Sequence, residues 1–149
     1  MDISYTTLQL FMKQKNNSAI KQNYLNLLQQ LTNAENIEDT IFNKTIYDIH
    51  KHGVIYIAYN NNNEIIGTCS ALIEQKIIHG CKNVCHIEDL VIDKNYRNNG
   101  ISKQLVSLCQ HFANNKNCYK IILNCKYELQ TFYEKIDFKQ SGLQMSKYL

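Results

Sequence analysis

The spacing of hydrophobic positions changes several times along the 149 residues, and each change marks a predicted element. After a short extended start over residues 6–12, the stretch 19–31 places Tyr24, Leu27, Leu28 and Leu31 three and four residues apart. Such steps stack side chains on one helical face, so a helix is predicted there. Ile41, Phe42, Ile46 and Ile49 predict a second helix over about 39–50. The pattern then tightens into apolar, β-branched runs. Residues 54–59 read as a strand, the asparagine run from Asn60 to Asn63 as a turn, and 64–74 as the antiparallel partner. A turn at 79–83 leads into a strand at 84–92. Residues 95–100 carry a loop signal, and a helix follows over 101–115 with Leu105, Leu108, Cys109 and Phe112 on one side. A short strand at 119–124, a short helix at 129–136 and a last strand at 138–148 complete the chain.

Helices first, then an antiparallel meander, then strand–helix–strand–helix–strand: this order predicts an α/β (α+β) protein with one mixed, mostly antiparallel sheet flanked by helices. No repeat or linker divides it, so residues 1–149 form a single expected domain. The length supports a real core without staples. With 44% hydrophobic and 19% charged residues, the composition is that of a globular chain and not of a disordered one. No apolar run approaches the roughly 20 residues of a membrane span, so no membrane partner is expected. The opening residues carry neither a basic leader nor an apolar core, which makes the cytoplasm the expected compartment.

Net charge of +3 without a Lys/Arg cluster argues against a nucleic-acid partner. Six cysteines would suggest disulfides in a small secreted chain. Here Cys69, Cys109, Cys118 and Cys125 sit in apolar segments, where a thiol behaves as a small hydrophobe, and reduced cysteines are expected. Proline is absent and asparagine abundant, a pattern that reads as coding bias toward asparagine and lysine.

Candidate chemistry begins at Arg97-Asn98-Asn99-Gly100-Ile101-Ser102-Lys103, after a predicted strand and opening a predicted helix. A loop there aims free backbone N–H groups at one point, reinforced by the helix dipole, and such a point binds phosphate or pyrophosphate. Gly100 permits close approach, while Arg97 and Lys103 add charge. An ordinary helix entry fits the same residues. The segment lacks the glycines of a dinucleotide fingerprint and the Gly-Lys-Ser/Thr of a Walker loop. His79, Cys81, Cys85 and His86 crowd into eight residues, yet no second cysteine pair of matching spacing accompanies them. Cys85 and His86 are also adjacent on a strand and point to opposite faces. No metal is expected.

The segment His86-Ile87-Glu88-Asp89-Leu90-Val91-Ile92, followed by Tyr96-Arg97-Asn98-Asn99-Gly100-Ile101-Ser102, resembles the acetyl-CoA loop of the GNAT N-acetyltransferase superfamily. Asn117-Cys118-Tyr119-Lys120-Ile121-Ile122-Leu123 and Phe132-Tyr133-Glu134-Lys135 resemble two later signatures of its glucosamine-6-phosphate N-acetyltransferase family. The resemblance implies the acyl-CoA N-acyltransferase fold, acetyl-CoA as co-substrate, and direct acetyl transfer to the amine of glucosamine 6-phosphate in a ternary complex. It implies a homodimer with composite active sites and a place in UDP-N-acetylglucosamine synthesis. Arg97, Gly100 and Ser102 match the family's loop pattern, with backbone N–H groups of Asn98, Asn99, Gly100, Ile101, Ser102 and Lys103 holding the CoA pyrophosphate. Leu90, Val91 and Ile92 match the strand that pairs with the pantetheine arm, and Glu88 and Asp89 the acidic pair beside the sugar. Lys76 and His79 match the segment meeting the sugar phosphate, and Tyr119 and Lys120 a pair reaching across the dimer interface. Thr32 matches a contact from the N-terminal helices, and Tyr133 the tyrosine beside the departing sulfur. Two positions depart from the pattern. Ser102 replaces the usual Gly or Ala, and Asn124 stands where relatives often carry Asp or Glu.

Acetyl transfer needs a neutral amine, a polarised thioester, a stabilised thiolate and alignment. A sugar amine titrating like an α-amino group, near pH 8, is partly neutral already, so a strong base is not required. Asn124 takes no proton but orients the amine through its carbonyl, leaving water or Glu88 to accept the proton. Tyr133 is a suitable donor to the thiolate, and backbone N–H at Leu90 or Val91 to the oxyanion. Lys76, His79 and Lys120 suit an anionic acceptor, whereas a polyamine, amino acid or protein lysine calls for an acidic pocket. A non-catalytic acyl-CoA-binding module has no need of Tyr133 or the acidic pair.

Overall fold

The computed structural model describes residues 2–15 and 18–149. Its five strands, β1 (Ser4–Thr7), β2 (Gly53–Tyr59), β3 (Ile65–Glu74), β4 (Asn83–Ile92) and β5 (Cys118–Leu123), form one sheet in chain order. Neighbours are antiparallel from β1 to β4, and β5 pairs parallel to β4. A parallel neighbour needs a crossover, which the helix α5 (Ile101–Asn115) supplies. The other helices are α1 (Leu8–Lys15), α2 (Ala19–Leu28), α3 (Asp39–His52), the single distorted turn α4 (Ile78–Cys81) and α6 (Gln130–Glu134).

Alternation along the strands divides the core in two. Ile55 and Ile57 of β2 face a cluster with Leu8, Phe11, Tyr24, Leu27, Phe42 and Ile46, contributed by α1, α2 and α3. Val54 and Ala58 point the other way, into a cluster with Cys69, Cys85, Ile87 and the α5 residues Ile101, Leu105, Val106, Cys109 and Ala113. The four-residue steps of α5 lay its apolar stripe along the sheet. Gly67 lets that helix start close to β3, because a Cβ there would stand 2.9 Å from Ile92 Cδ1 and 3.1 Å from Ile101 Cγ2.

Several expectations are corrected. The extended start is shorter: Leu8 already begins α1, since Leu8 and Phe11 are both buried at a helical step and Thr7 Oγ1 accepts a hydrogen bond from Leu10 N–H at 3.2 Å. Leu31 and Ile41 are exposed, and Leu25 takes the core position beside Tyr24. Cys125 lies beyond the end of β5 and is exposed. The last strand expected at 138–148 does not form. Residues 139–149 join no element, and Leu143 and Met145 are 90% and 92% exposed; an alternating pattern becomes a strand only where a neighbour takes up its backbone hydrogen bonds, and this segment pairs with none. Asparagine bias does not account for Asn60, which is 8% exposed and accepts at Oδ1 from the N–H groups of Asn62 and Glu64.

Candidate functional site

The site grows from an irregularity in β4. From Thr68 to Ser70, β3 advances two residues while β4 runs three, from Val91 back to Glu88. This bulge holds Asp89 in the left-handed region at φ 51°. A non-glycine residue there costs roughly 1 kcal/mol or more, and such strain gathers at functional positions. On the other side of β4, pairing with β5 stops at Ile87 and Leu123. Beyond that pair the strands part, leaving Glu88, Asp89, Leu90, Val91 and Ile92 to line a cleft of about 900 Å³. That size suits an extended small-molecule ligand.

At one end of the cleft lies the start of α5. Gly100 precedes it at φ 75° with open space around its Cα, and the first helical hydrogen bond runs from Gln104 N–H to Gly100 C=O. The amides of Ile101, Ser102 and Lys103 precede that bond and are left for a ligand. Arg97, Asn98, Gly100, Ile101, Ser102 and Lys103 all line the cleft. Asn99 does not; its side chain donates to the carbonyls of Tyr96 and Arg97 and shapes the loop from behind. Donors at a helix start with cationic side chains nearby form an anion-binding end.

At the opposite wall stand Asn124, just past β5, and Tyr133 on α6. Tyr133 is 8% exposed, with its ring edge-on to Phe132 at 5.0 Å and Phe138 at 5.9 Å. Burial pushes its phenol up to about 12, helped by Cys69 and Cys125. Tyr133 therefore stays a neutral donor throughout the working range. Glu88 lines the same cleft. Asp89 also lines the cleft and is exposed, and partial burial of its carboxyl raises it from its ordinary value.

Other predicted residues gather elsewhere. The His79 ring lies 4.2 Å from that of Tyr119, and Lys120 Nζ lies 5.5 Å from the Tyr119 centroid. His79 at φ 56° and Cys81 at φ 59° share the left-handed turn that presents this ring. Lys76 pairs with Glu74, whose other oxygen meets His86 Nε2 at 2.6 Å. Lys76 and then His86 hold the Glu74 carboxyl below its ordinary value. None of Lys76, His79, Tyr119 and Lys120 lines the cleft. Lys120 lies four residues before Asn124, about 13 Å along an extended chain. Thr32 also lies outside the lining, one residue beyond Leu31, which is inside it. Cys85 is buried in the core while His86 faces outward to Glu74.

Sequence reasoning missed Gln30. It lines the cleft, donates to Asp93 Oδ2 at 2.7 Å and accepts from Lys94 N–H at 2.9 Å, tying the end of α2 to the loop before α5. It also missed Tyr96, whose hydroxyl accepts from Asn60 Nδ2 at 3.0 Å. A pairing between segments far apart in the chain leaves no local periodicity to read.

The profile described as Acetyltransferase (GNAT) family matches residues 21–138. The chain is 32% identical over 132 residues to the glucosamine 6-phosphate N-acetyltransferase of Arabidopsis thaliana, covering 86% of this chain and 89% of that protein. It is 34% identical over 129 residues to glucosamine 6-phosphate N-acetyltransferase 1 of Dictyostelium discoideum, covering 85% and 82%. The crystal structure of the Arabidopsis thaliana enzyme superposes with a TM-score of 0.88 at 30% identity, covering 99% of both chains.

Proposed function

The chain belongs to the acetyltransferase (GNAT) family, and on that premise we propose that it transfers the acetyl group of acetyl-CoA to the amine of glucosamine 6-phosphate. The parting of β4 and β5 carries this reading, because it opens one cleft with anion-binding amides at one end and a buried neutral phenol at the other wall. In the proposed complex the CoA pyrophosphate meets the amides of Gly100 to Lys103, and the pantetheine arm lies along Leu90 to Ile92 in place of the missing strand.

The sugar amine attacks the thioester carbonyl carbon, held by the Asn124 carbonyl and flanked by Glu88. The tetrahedral oxyanion takes a hydrogen bond from backbone N–H at Leu90 or Val91. As the C–S bond breaks, Tyr133 gives its proton to the sulfur, and the proton lost by the attacking nitrogen returns to the phenol through Glu88 or water. Products are N-acetylglucosamine 6-phosphate and CoA. No metal is needed for this sequence.

We further propose a homodimer with composite sites. His79, Tyr119 and Lys120 lie outside their own cleft, and β5 is the edge of the sheet, so these groups suit the cleft of a second copy. Lys76 would contact the phosphate there while shared with Glu74. A cytoplasmic role supplying UDP-N-acetylglucosamine synthesis fits this product, and no helix among the described residues is long and apolar enough to cross a membrane. Thiol release from acetyl-CoA, measured with glucosamine 6-phosphate, glucosamine and spermidine, tests the acceptor. Turnover is expected with the phosphorylated sugar alone; preference for spermidine would overturn the reading.

A further inference from the structure

Among the cations that suit a sugar phosphate, Lys76 is set apart by its partner. His79 lies against the Tyr119 ring, and Lys120 Nζ lies 5.5 Å from the centroid of the same ring. Among the described residues neither forms an ion pair with a carboxylate, whereas Lys76 pairs with Glu74. A carboxylate at that place works against an anionic ligand, because it occupies the ammonium and repels the incoming charge. A surface ion pair at a strand end is common enough, but it needs only two groups. Here there are three.

Glu74 closes β3 and lies opposite Val84 of β4, with His86 two residues further along β4. Residues two apart on a strand share a face, so the sheet itself brings the His86 ring to Glu74 on the diagonal. Lys76 follows two residues after the end of β3, in the connection that leads to His79. Glu74 Oε1 accepts from Lys76 Nζ, and Oε2 accepts from His86 Nε2 at 2.6 Å. Lys76 and then His86 hold the Glu74 carboxyl below its ordinary value, so near neutrality it is ionised and only accepts. His86 therefore carries its hydrogen on Nε2 and donates it whether or not the ring is charged. When Lys76 turns to another anion, Glu74 keeps a partner and has no need to follow the lysine.

We propose that Glu74 is an exchange partner for Lys76: the acceptor's phosphate takes the ammonium from Glu74, and His86 holds the carboxylate in place meanwhile. This rests on the reading above that Lys76 meets the sugar phosphate. A phosphate monoester competes well, with about −1.5 to −2 charge and three acceptor oxygens against one carboxylate. Lysine suits such an exchange, since its ammonium is a point charge on a flexible stem and fits no fixed fork. Substrate and product carry the same phosphate, so Glu74 weakens both alike and acts on binding, not on bond making. His86 touches no substrate in this scheme. It is a positioning residue that acts through Glu74.

Initial rates of the full chain with glucosamine 6-phosphate, at saturating acetyl-CoA, separate KM from kcat and provide the test. Lys76→Ala should raise KM. Glu74→Gln leaves Lys76 without its competing anion and should lower KM about threefold, the scale of an exposed ion pair. Product inhibition by N-acetylglucosamine 6-phosphate should tighten by the same factor. His86→Ala leaves Glu74 with Lys76 as its remaining partner and should raise KM about twofold with kcat kept, and His86→Gln, which retains an N–H donor, should restore KM in part. The pair of changes decides the matter. In the Glu74→Gln background His86→Ala should no longer move KM, because no carboxylate is left to hold. A KM raised by Glu74→Gln would mean that Glu74 places Lys76 and does not compete for it. A His86→Ala effect of equal size with and without Glu74 would mean that His86 acts by another route. Either result overturns the proposal. Intact turnover with an unchanged KM in Lys76→Ala would overturn the exchange alone, whereas no turnover of glucosamine 6-phosphate by the unaltered chain would overturn the acetyl-transfer reading and the exchange with it.

Discussion

Tyr133 combines two properties that a single substitution separates. Its ring packs edge-on against Phe132 and Phe138, and its hydroxyl belongs to a phenol raised to about 12 by burial. Tyr133→Phe keeps the packing and removes the donor. We expect kcat to fall about a hundredfold, as for loss of a general acid, with acetyl-CoA binding unchanged by calorimetry. An unchanged kcat would remove Tyr133 from the proton path. The same raised value shapes the pH profile of the unaltered chain. Rate should climb as the sugar amine loses its proton near pH 8, and Tyr133 should add no falling limb in the ordinary assay range. Glu74 behaves in the opposite sense. Lys76 and His86 depress its carboxyl, so its contribution to stability is present above the ordinary glutamate value and is lost as pH falls through the lowered one. Thermal melts of Glu74→Gln should lie below those of the unaltered chain near neutrality and meet them in acid; a gap that persists in acid would assign the effect to packing. That Tyr133 and Glu88 share one cleft was legible in the sequence, because a family pattern carried them. Asn60 was not legible. Its place in an asparagine run hid the one copy that is buried and bonded.

Elements were read well where periodicity was strong and poorly where pairing decides. The bounds of α5 match the expected 101–115, since its four-residue apolar steps leave little choice. Nothing in the hydrophobic pattern of β4 announces the extra residue at Asp89, which sits where β4 runs on past its last pair with β5. The loop after β4 also depends on a distant helix. Gln30 donates to Asp93 and accepts from Lys94, while Asp93 Oδ1 accepts from Asn95 N–H at 2.8 Å. One amide side chain thereby steadies the turn that aims the α5 amides. Gln30→Ala removes two exposed hydrogen bonds worth about 1 kcal/mol each, so KM for acetyl-CoA should rise several-fold with kcat largely kept. Gln30→Glu restores the acceptor for Lys94 but faces Asp93 with a like charge, and should not rescue. Rescue by Glu, or a fall confined to kcat, would show that Gln30 acts on the reacting groups and not on the loop.

At the scale of the whole molecule, the candidate residues split into two sets within one chain. Glu88, Asn124, Tyr133 and the loop before α5 share the cleft, whereas His79, Tyr119 and Lys120 cluster toward the beginning of β5. Linear order says nothing of which copy a residue serves, and only the family resemblance pointed to Tyr119 and Lys120 as groups reaching across a dimer interface. Residues 139–149 pose the same problem: they join no element, and their apolar side chains stand exposed. A second copy addresses both features, since it offers apolar surface to cover the tail and a cleft for the cluster. The idea has a consequence that a monomeric site lacks. Tyr133→Phe damages the cleft of its own subunit, and Lys120→Ala damages the cluster offered to the other. Each pure variant should be weak, yet subunits exchanged between the two should form mixed dimers with one cleft free of both changes. Activity should therefore return on mixing, after partial denaturation and refolding, with a mass by light scattering of twice the chain. If the variants stay weak when mixed although the dimer mass is present, Lys120 serves its own subunit and the composite site is wrong. A monomer mass would remove the second copy altogether, and the exposed tail would then need another partner.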